Sequence, residues 1–152
     1  MKKYDPSWWR TLPPEKVGDE TEKMVEKLFK EWNHKQSFAW HRMPDAKAAR
    51  GRMAAQPSDY IYRSGMYAGM IEVKALKHPF RLPADRLTQL PTLLKWTLAG
   101  SNDLILVFHY LEGVWRLVFA DDLPTDATSW DLSNFPQYAS AEAALKSTGW
   151  FE

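Results

Sequence analysis

Apolar positions recur along this chain with two different periods, and the switches between them outline the fold. Across residues 18–35, Val25, Leu28, Phe29 and Trp32 stand at i, i+3, i+4 and i+7, which is one buried helical stripe. Asp19, Glu20 and Glu22 occupy the first turns, where acids complement the helix dipole. At about 100° per residue, Glu22 lies on the border of the apolar stripe and Glu20 nearly opposite it. Glu22 can therefore reach the domain interior and Glu20 cannot. Residues 37–43 (SFAWHRM) are strand-like. Residues 58–76 read as a β-hairpin, because Tyr60, Ile61, Tyr62 and then Met70, Ile71 and Val73 favour strands. Arg63-Ser64-Gly65 supplies its turn, with Gly65 free to take positive φ.

Residues 77–84 read as a loop. Residues 85–99 read as a helix through Leu87, Leu90, Leu94 and Leu98, which Pro91 either kinks or starts late. Gly100 then caps its C-terminus. Two strands follow, 103–111 and 114–119, joined by a tight turn at Glu112-Gly113, and a short helix covers 140–146. The order is helix, strand, hairpin, helix, strand pair. It predicts an α/β (α+β) domain with a mixed central β-sheet flanked by helices.

The length, 152 residues, suits one domain. It divides into an N-terminal arm (1–17), a core (18–120) and a C-terminal extension (121–152). The arm carries three prolines and no period, and its Trp8 and Trp9 are expected to dock on the domain or on a second subunit. Eight tryptophans in all are material for a core or a dimer interface. The net charge of +1 does not announce a polyanionic partner, yet binding responds to the local field rather than the total. Basic residues do gather locally. Lys47, Arg50 and Arg52 stand in the small-residue loop 44–57, and Arg63, Lys77, His78 and Arg81 fall on turns or loops near the hairpin.

The chain has no cysteine, which excludes disulfides and thiolate metal sites. Its histidines, His34, His41, His78 and His109, show no zinc-binding spacing. His41 and His109 are expected to be structural. The N-terminus has no apolar h-region, and apolar runs such as 104–108 are too short to span a bilayer. The expected location is the cytoplasm, with no membrane partner.

The chemistry concentrates in Ser58-Asp59, twelve intervening residues, and Glu72-Val73-Lys74. Residues i and i+2 of a strand share a face. Glu72 and Lys74 thus project together, while Ile71, Val73 and Ala75 point the other way into the core. The hairpin brings Asp59 back beside them. Two carboxylates and an ammonium are what phosphodiester hydrolysis requires. Mg²⁺ takes oxygen ligands, one or two of them carboxylates; Asp59 and Glu72 supply these and the Val73 carbonyl can add a third. Lys74 can hold the attacking water or the scissile phosphate and relieve the crowding of the acids. The alternative is a surface Glu–Lys pair on an edge strand with Asp59 in a turn.

With these flanking elements, PSD(x)₁₂EVK resembles the PD-(D/E)XK nuclease superfamily. Within it the chain looks most like RecU-type and related phage or archaeal Holliday-junction resolvases. The shared pieces are Gly18–Glu22 opening a helix, Ser58-Asp59-Tyr60, Ile71–Ala75, Phe80–Pro83, Leu87–Leu90 and the strand Leu104–Phe108. The resemblance implies a restriction-endonuclease-like αβββαβ core. It makes Asp59 and Glu72 the metal ligands and Lys74 the catalytic lysine. It makes Glu22 a helix-borne acid supporting metal or water, and Gln89 a polar residue orienting the lysine or a phosphate. It further implies Mg²⁺, with Mn²⁺ able to substitute, branched DNA as substrate, and a homodimer. Lys47, Arg50, Arg52, Arg63, Lys77 and Arg81 become DNA contacts. RecU proteins carry a longer stalk where this chain has only 44–57. Three other readings stand beside the resolvase: a nuclease for flaps, ends or duplex, a non-catalytic DNA-binding module, and a nuclease subunit of a larger machine. The presence of all three core residues argues against the non-catalytic module.

Overall fold

A computed structural model describes residues 12–44 and 58–152. Trp8, Trp9, Lys47, Arg50 and Arg52 lie outside the described residues. Helix α1 (Pro14–Trp32) opens four residues ahead of the expected start. Pro14 is the reason: a proline in the first turn lacks only an N–H the helix cannot use, and its φ is already helical. Asn33 closes the helix by donating to the Phe29 carbonyl at 2.9 Å. Strand β1 (Phe38–Arg42) follows. The hairpin is β2 (Tyr60–Ser64) and β3 (Tyr67–Leu76), turning at Gly65 with φ +58°.

The segment read as a loop holds a short strand, β4 (Arg81–Pro83), and then a 3₁₀ turn, Ala84–Arg86. Of the two roles open to Pro91, the late start is the one taken: α2 runs Leu90–Leu98 with Pro91 in its first turn. A helix from 85 would have set the proline ring against the carbonyl four residues back. Strands β5 (Leu104–His109) and β6 (Val114–Phe119) close the main sheet. Beyond them lie β7 (Ser129–Asp131) and helix α3 (Ala141–Lys146), capped by the Ser140 hydroxyl accepting from Ala143 N.

The five-stranded sheet has the order β1-β2-β3-β5-β6. All its pairs are antiparallel except β3 with β5. The parallel pair needs a crossover, which α2 provides. Entry to that pair depends on Gly69. A Cβ there would stand 2.0 Å from the Asn102 carbonyl oxygen, so only glycine lets the chain entering β5 pass so close. β4 and β7 form a separate two-stranded sheet. Neither strand is long enough to show a period, which is why the sequence pattern missed both.

Apolar side chains fill both sides of the main sheet. Under α1 lie Val25, Phe29, Trp32, Phe38, Tyr60, Ile71, Val73, Leu106 and Phe108. Under α2 lie Met70, Leu76, Leu90, Leu93, Ile105 and Val107. Strands β3 and β5 are thus buried on both faces, the usual condition of parallel strands. The chain beyond residue 120 completes both cores: Ala144, Leu145 and Phe151 join the α1 side, and Trp130 and Leu132 the α2 side. Most of the described tryptophans serve this packing; Trp96, 50% exposed, does not. No helix among the described residues is long and apolar enough to cross a membrane.

Candidate active site

Glu72 and Lys74 stand on β3, the middle strand of five. The edge-strand alternative is therefore excluded. They share a face, as strand alternation requires, and Lys74 Nζ reaches Glu72 Oε1 at 3.1 Å. That face also carries Met70 and Leu76 and is covered by α2, while Ile71 and Val73 face α1. Glu72 is only 1% exposed. The acid is thus carried into the sheet's interior by a strand buried on both sides.

Asp59 precedes β2. Its Oδ2 accepts from the Val73 backbone N–H at 2.8 Å, a bond that ties the first acid to the residue between Glu72 and Lys74. The carboxyls of Asp59 and Glu72 come within hydrogen-bonding reach of each other, and Glu22 reaches Asp59 from α1. The helical wheel placed Glu22 correctly at the border of the apolar stripe. Glu20 turns outward to Lys23 at 3.1 Å.

Crowding three acids in a buried setting raises their proton affinity. Burial, then the charge of Asp59, pushes Glu72 up to about 8; Lys74 opposes the rise. Burial, then Asp59, pushes Glu22 up to about 7, against the pull of Arg42. Asp59 is also raised by burial, with the Val73 N–H and Lys74 restraining it.

Three buried side-chain oxygens among the described residues have no hydrogen-bond partner: Glu72 Oε2, Gln89 Oε1 and Ser58 Oγ. All belong to site residues or a neighbour of one. A buried acceptor left alone costs free energy, and a cation with its water shell would satisfy it. No three acidic or histidine side chains among the described residues close into a protein-only metal cage. Mg²⁺ does not need one, since it keeps waters and typically uses one or two carboxylates. The donor set fits the ion. Gln89 stands at the N-cap of α2 without capping it, so its amide is not committed to the helix.

The predicted basic contacts divide. Lys77 and Arg81 are both exposed beyond the end of β3: Lys77 directly after that strand, and Arg81 as the first residue of β4. Arg63 pairs opposite Ala39 and Ala68 at the turn end of the hairpin, away from Asp59. His78 is occupied locally, its Nδ1 accepting from Phe80 and Arg81 N–H groups at 3.2 and 3.0 Å. His109 is buried and structural, between the His78 carbonyl at 2.9 Å and Arg116 Nη1 at 3.0 Å.

Two cations escaped the sequence reading. Arg42 sits 3.6 Å from Glu22 and 3.0 Å from Glu26. Arg86 donates to the Ala75 carbonyl at 3.3 Å, on β3 next to Lys74. The only sequence signal for the first was Glu26, four residues after Glu22 on the same helical face.

Comparison with known proteins agrees with this geometry at the level of fold. No protein-family profile and no curated protein sequence matches the chain. Among solved structures, the chain is similar to Hjc of Archaeoglobus fulgidus, a Holliday junction resolvase from an archaeal hyperthermophile. The two are 24% identical with a TM-score of 0.51, over 83% of this chain and 98% of that one. This chain has a resolvase-type nuclease fold. The likeness is one of fold, which in this chain is a mixed five-stranded sheet with flanking helices.

Proposed function

We propose that this chain is a divalent-metal-dependent DNA endonuclease of the Holliday-junction-resolvase type. The observation that carries the reading is the Asp59–Glu72–Lys74 cluster, with its buried, unpartnered Glu72 Oε2. Asp59, Glu72 and the Val73 carbonyl would hold Mg²⁺, or Mn²⁺ in its place. Such an ion lowers the pKa of a bound water and stabilises charge on the phosphoryl oxygens.

The other roles follow from position. Lys74, held by Glu72 at 3.1 Å, is placed to orient the attacking water or the scissile phosphate. Glu22 supports the same water from α1. Gln89 offers an unpartnered side-chain oxygen at the start of α2. Lys77, Arg81 and Arg63, with Lys47, Arg50 and Arg52, would contact phosphates. Such contacts position the strand without reading its sequence. Two symmetric cuts in a four-way junction need two sites related by a two-fold axis, so the working form in this reading is a homodimer acting in DNA recombination or repair.

The test uses labelled four-way junctions, flaps and linear duplex, each with Mg²⁺ and with EDTA. Paired symmetric, metal-dependent incisions in the junction are expected. Lys74→Ala should lose on the order of 100- to 1,000-fold in rate. Equal cutting of all three substrates would move the substrate away from junctions. Metal-independent cutting, or a fully active Lys74→Ala, would overturn the catalytic assignment. Sizing by light scattering should give a dimer; a monomer at assay concentration would count against paired cutting.

A further inference from the structure

Arg42 ends β1 with its guanidinium against two glutamates of α1. Nη1 lies 3.0 Å from Glu26 Oε2, and Nη2 lies 3.6 Å from Glu22 Oε2. Only the first is a hydrogen bond. The two acids are 16% and 19% exposed, whereas the Arg42 side chain is 47% exposed. One nitrogen is thus tethered by a largely buried acid and another is turned toward Glu22, which reaches Asp59. The outer edge of the guanidinium is open to solvent. Arginine carries five N–H donors in a rigid fork that matches the oxygens of a phosphate, so donors remain beyond those turned to Glu26 and Glu22. Glu26 is not part of the carboxylate cluster; its ion pair is with Arg42.

We propose that Glu26 is a positioning residue that holds Arg42 so that the outward edge of its guanidinium takes a phosphate oxygen of a nucleic-acid strand lying across the Asp59–Glu72 cluster. This rests on the nuclease reading above. A purely structural ion pair contributes to stability alone and nothing to ligand binding. A positioning role acts through Arg42 and nowhere else. That difference decides the experiment.

Junction binding is measured by fluorescence anisotropy in EDTA, and cleavage in Mg²⁺, for wild type, Glu26→Ala, Glu26→Gln, Arg42→Ala and the double Glu26→Ala/Arg42→Ala variant. Thermal melts check that each folds. Glu26→Ala should weaken junction binding and raise KM by about tenfold, the scale of one hydrogen bond to a charged group, with kcat changed less than about twofold. Glu26→Gln, which keeps an acceptor for Arg42, should recover most of the loss. Arg42→Ala should flatten the salt dependence of binding by roughly one phosphate contact. In the double variant the Glu26→Ala effect should vanish, because contacts in series are not additive. The NMR resonance of the Arg42 Nε–Hε group should also move in Glu26→Ala. A folded Glu26→Ala that binds like wild type, or one whose effect persists undiminished without Arg42, overturns the proposal. If wild type binds DNA but never cuts it, the nuclease reading fails while the Glu26–Arg42 linkage is still scored by binding. A wild type that binds no nucleic acid overturns both.

Discussion

Strand β3 has two sides, and they are built on opposite principles. Toward α1 it presents Ile71 and Val73 to an aromatic cluster. The ring of Phe29 lies 5.6 Å from those of Phe38, Trp40 and Tyr60, and Trp32 stacks 5.5 Å from Phe151. Toward α2 the same strand alternates apolar and charged residues: Met70, Glu72, Lys74, Leu76. The first side is satisfied by packing alone. The second holds a buried carboxylate with one oxygen unpartnered. The aromatic side stabilises the strand firmly enough for its other side to carry groups that destabilise it.

The largest expected effect breaks the packed side. Phe29→Ala should cost about 3–5 kcal/mol, lowering Tm by roughly 10 °C or more for a domain of this size. A loss under about 1 kcal/mol in chemical denaturation would show that this cluster is not what braces β3. Next comes the entry to the parallel pair. Gly69→Ala sets a methyl carbon against the Asn102 carbonyl, and such overpacking costs about 1–3 kcal/mol. An unchanged denaturation midpoint would mean that β5 can move aside.

The charged side should respond to pH and metal. The carboxyls of Glu22 and Glu72 are raised in the folded state, to about 7 and about 8. A group that binds its proton more tightly when folded contributes stability that is lost as pH rises through the folded value. These carboxyls should therefore cost metal-free protein stability progressively from about pH 4.5 to about pH 8, and Glu72→Gln should flatten the decline. Below pH 6.5 the trend is opposed by His109, which burial keeps neutral and which takes up protons more readily once unfolded. Thermal melts across this window check the prediction; a slope unchanged by Glu72→Gln would refute it. Smallest is the gain from metal. At a concentration ten times Kd, Mg²⁺ should stabilise wild type by about 1.4 kcal/mol and leave Asp59→Asn unaffected. Equal stabilisation of both would place the ion elsewhere.

Local signals made much of this legible. The i, i+3, i+4 stripe gave α1 and set Glu22 at its border. The hairpin was readable from its β-branched and aromatic runs and from Gly65. The Asp59…Glu72-Val73-Lys74 spacing, with the period of two, gave the shared face that the Glu72–Lys74 contact displays. Less legible were elements whose partners are distant. Leu82 pairs with Trp130 across nearly fifty residues, and no periodicity records such a match. Arg42 drew no reading of its own, because the glutamates it meets, Glu22 and Glu26, stand on the preceding helix and only the fold brings them beside β1.

The sequence by itself determined which residues alternate, where turns are cheap, and which acids and lysine share a strand face. These are local properties of backbone geometry and side-chain period. The tertiary structure alone decided that the Glu72–Lys74 strand is central rather than at an edge. It also decided that both its faces are buried and that Asp59 is tied to Val73. Those facts set how far the acids are desolvated, and desolvation depends on everything packed around a group rather than on its neighbours in the chain. An ordinary Glu–Lys spacing therefore became a cluster of carboxyls with raised proton affinity and one buried, unpartnered oxygen.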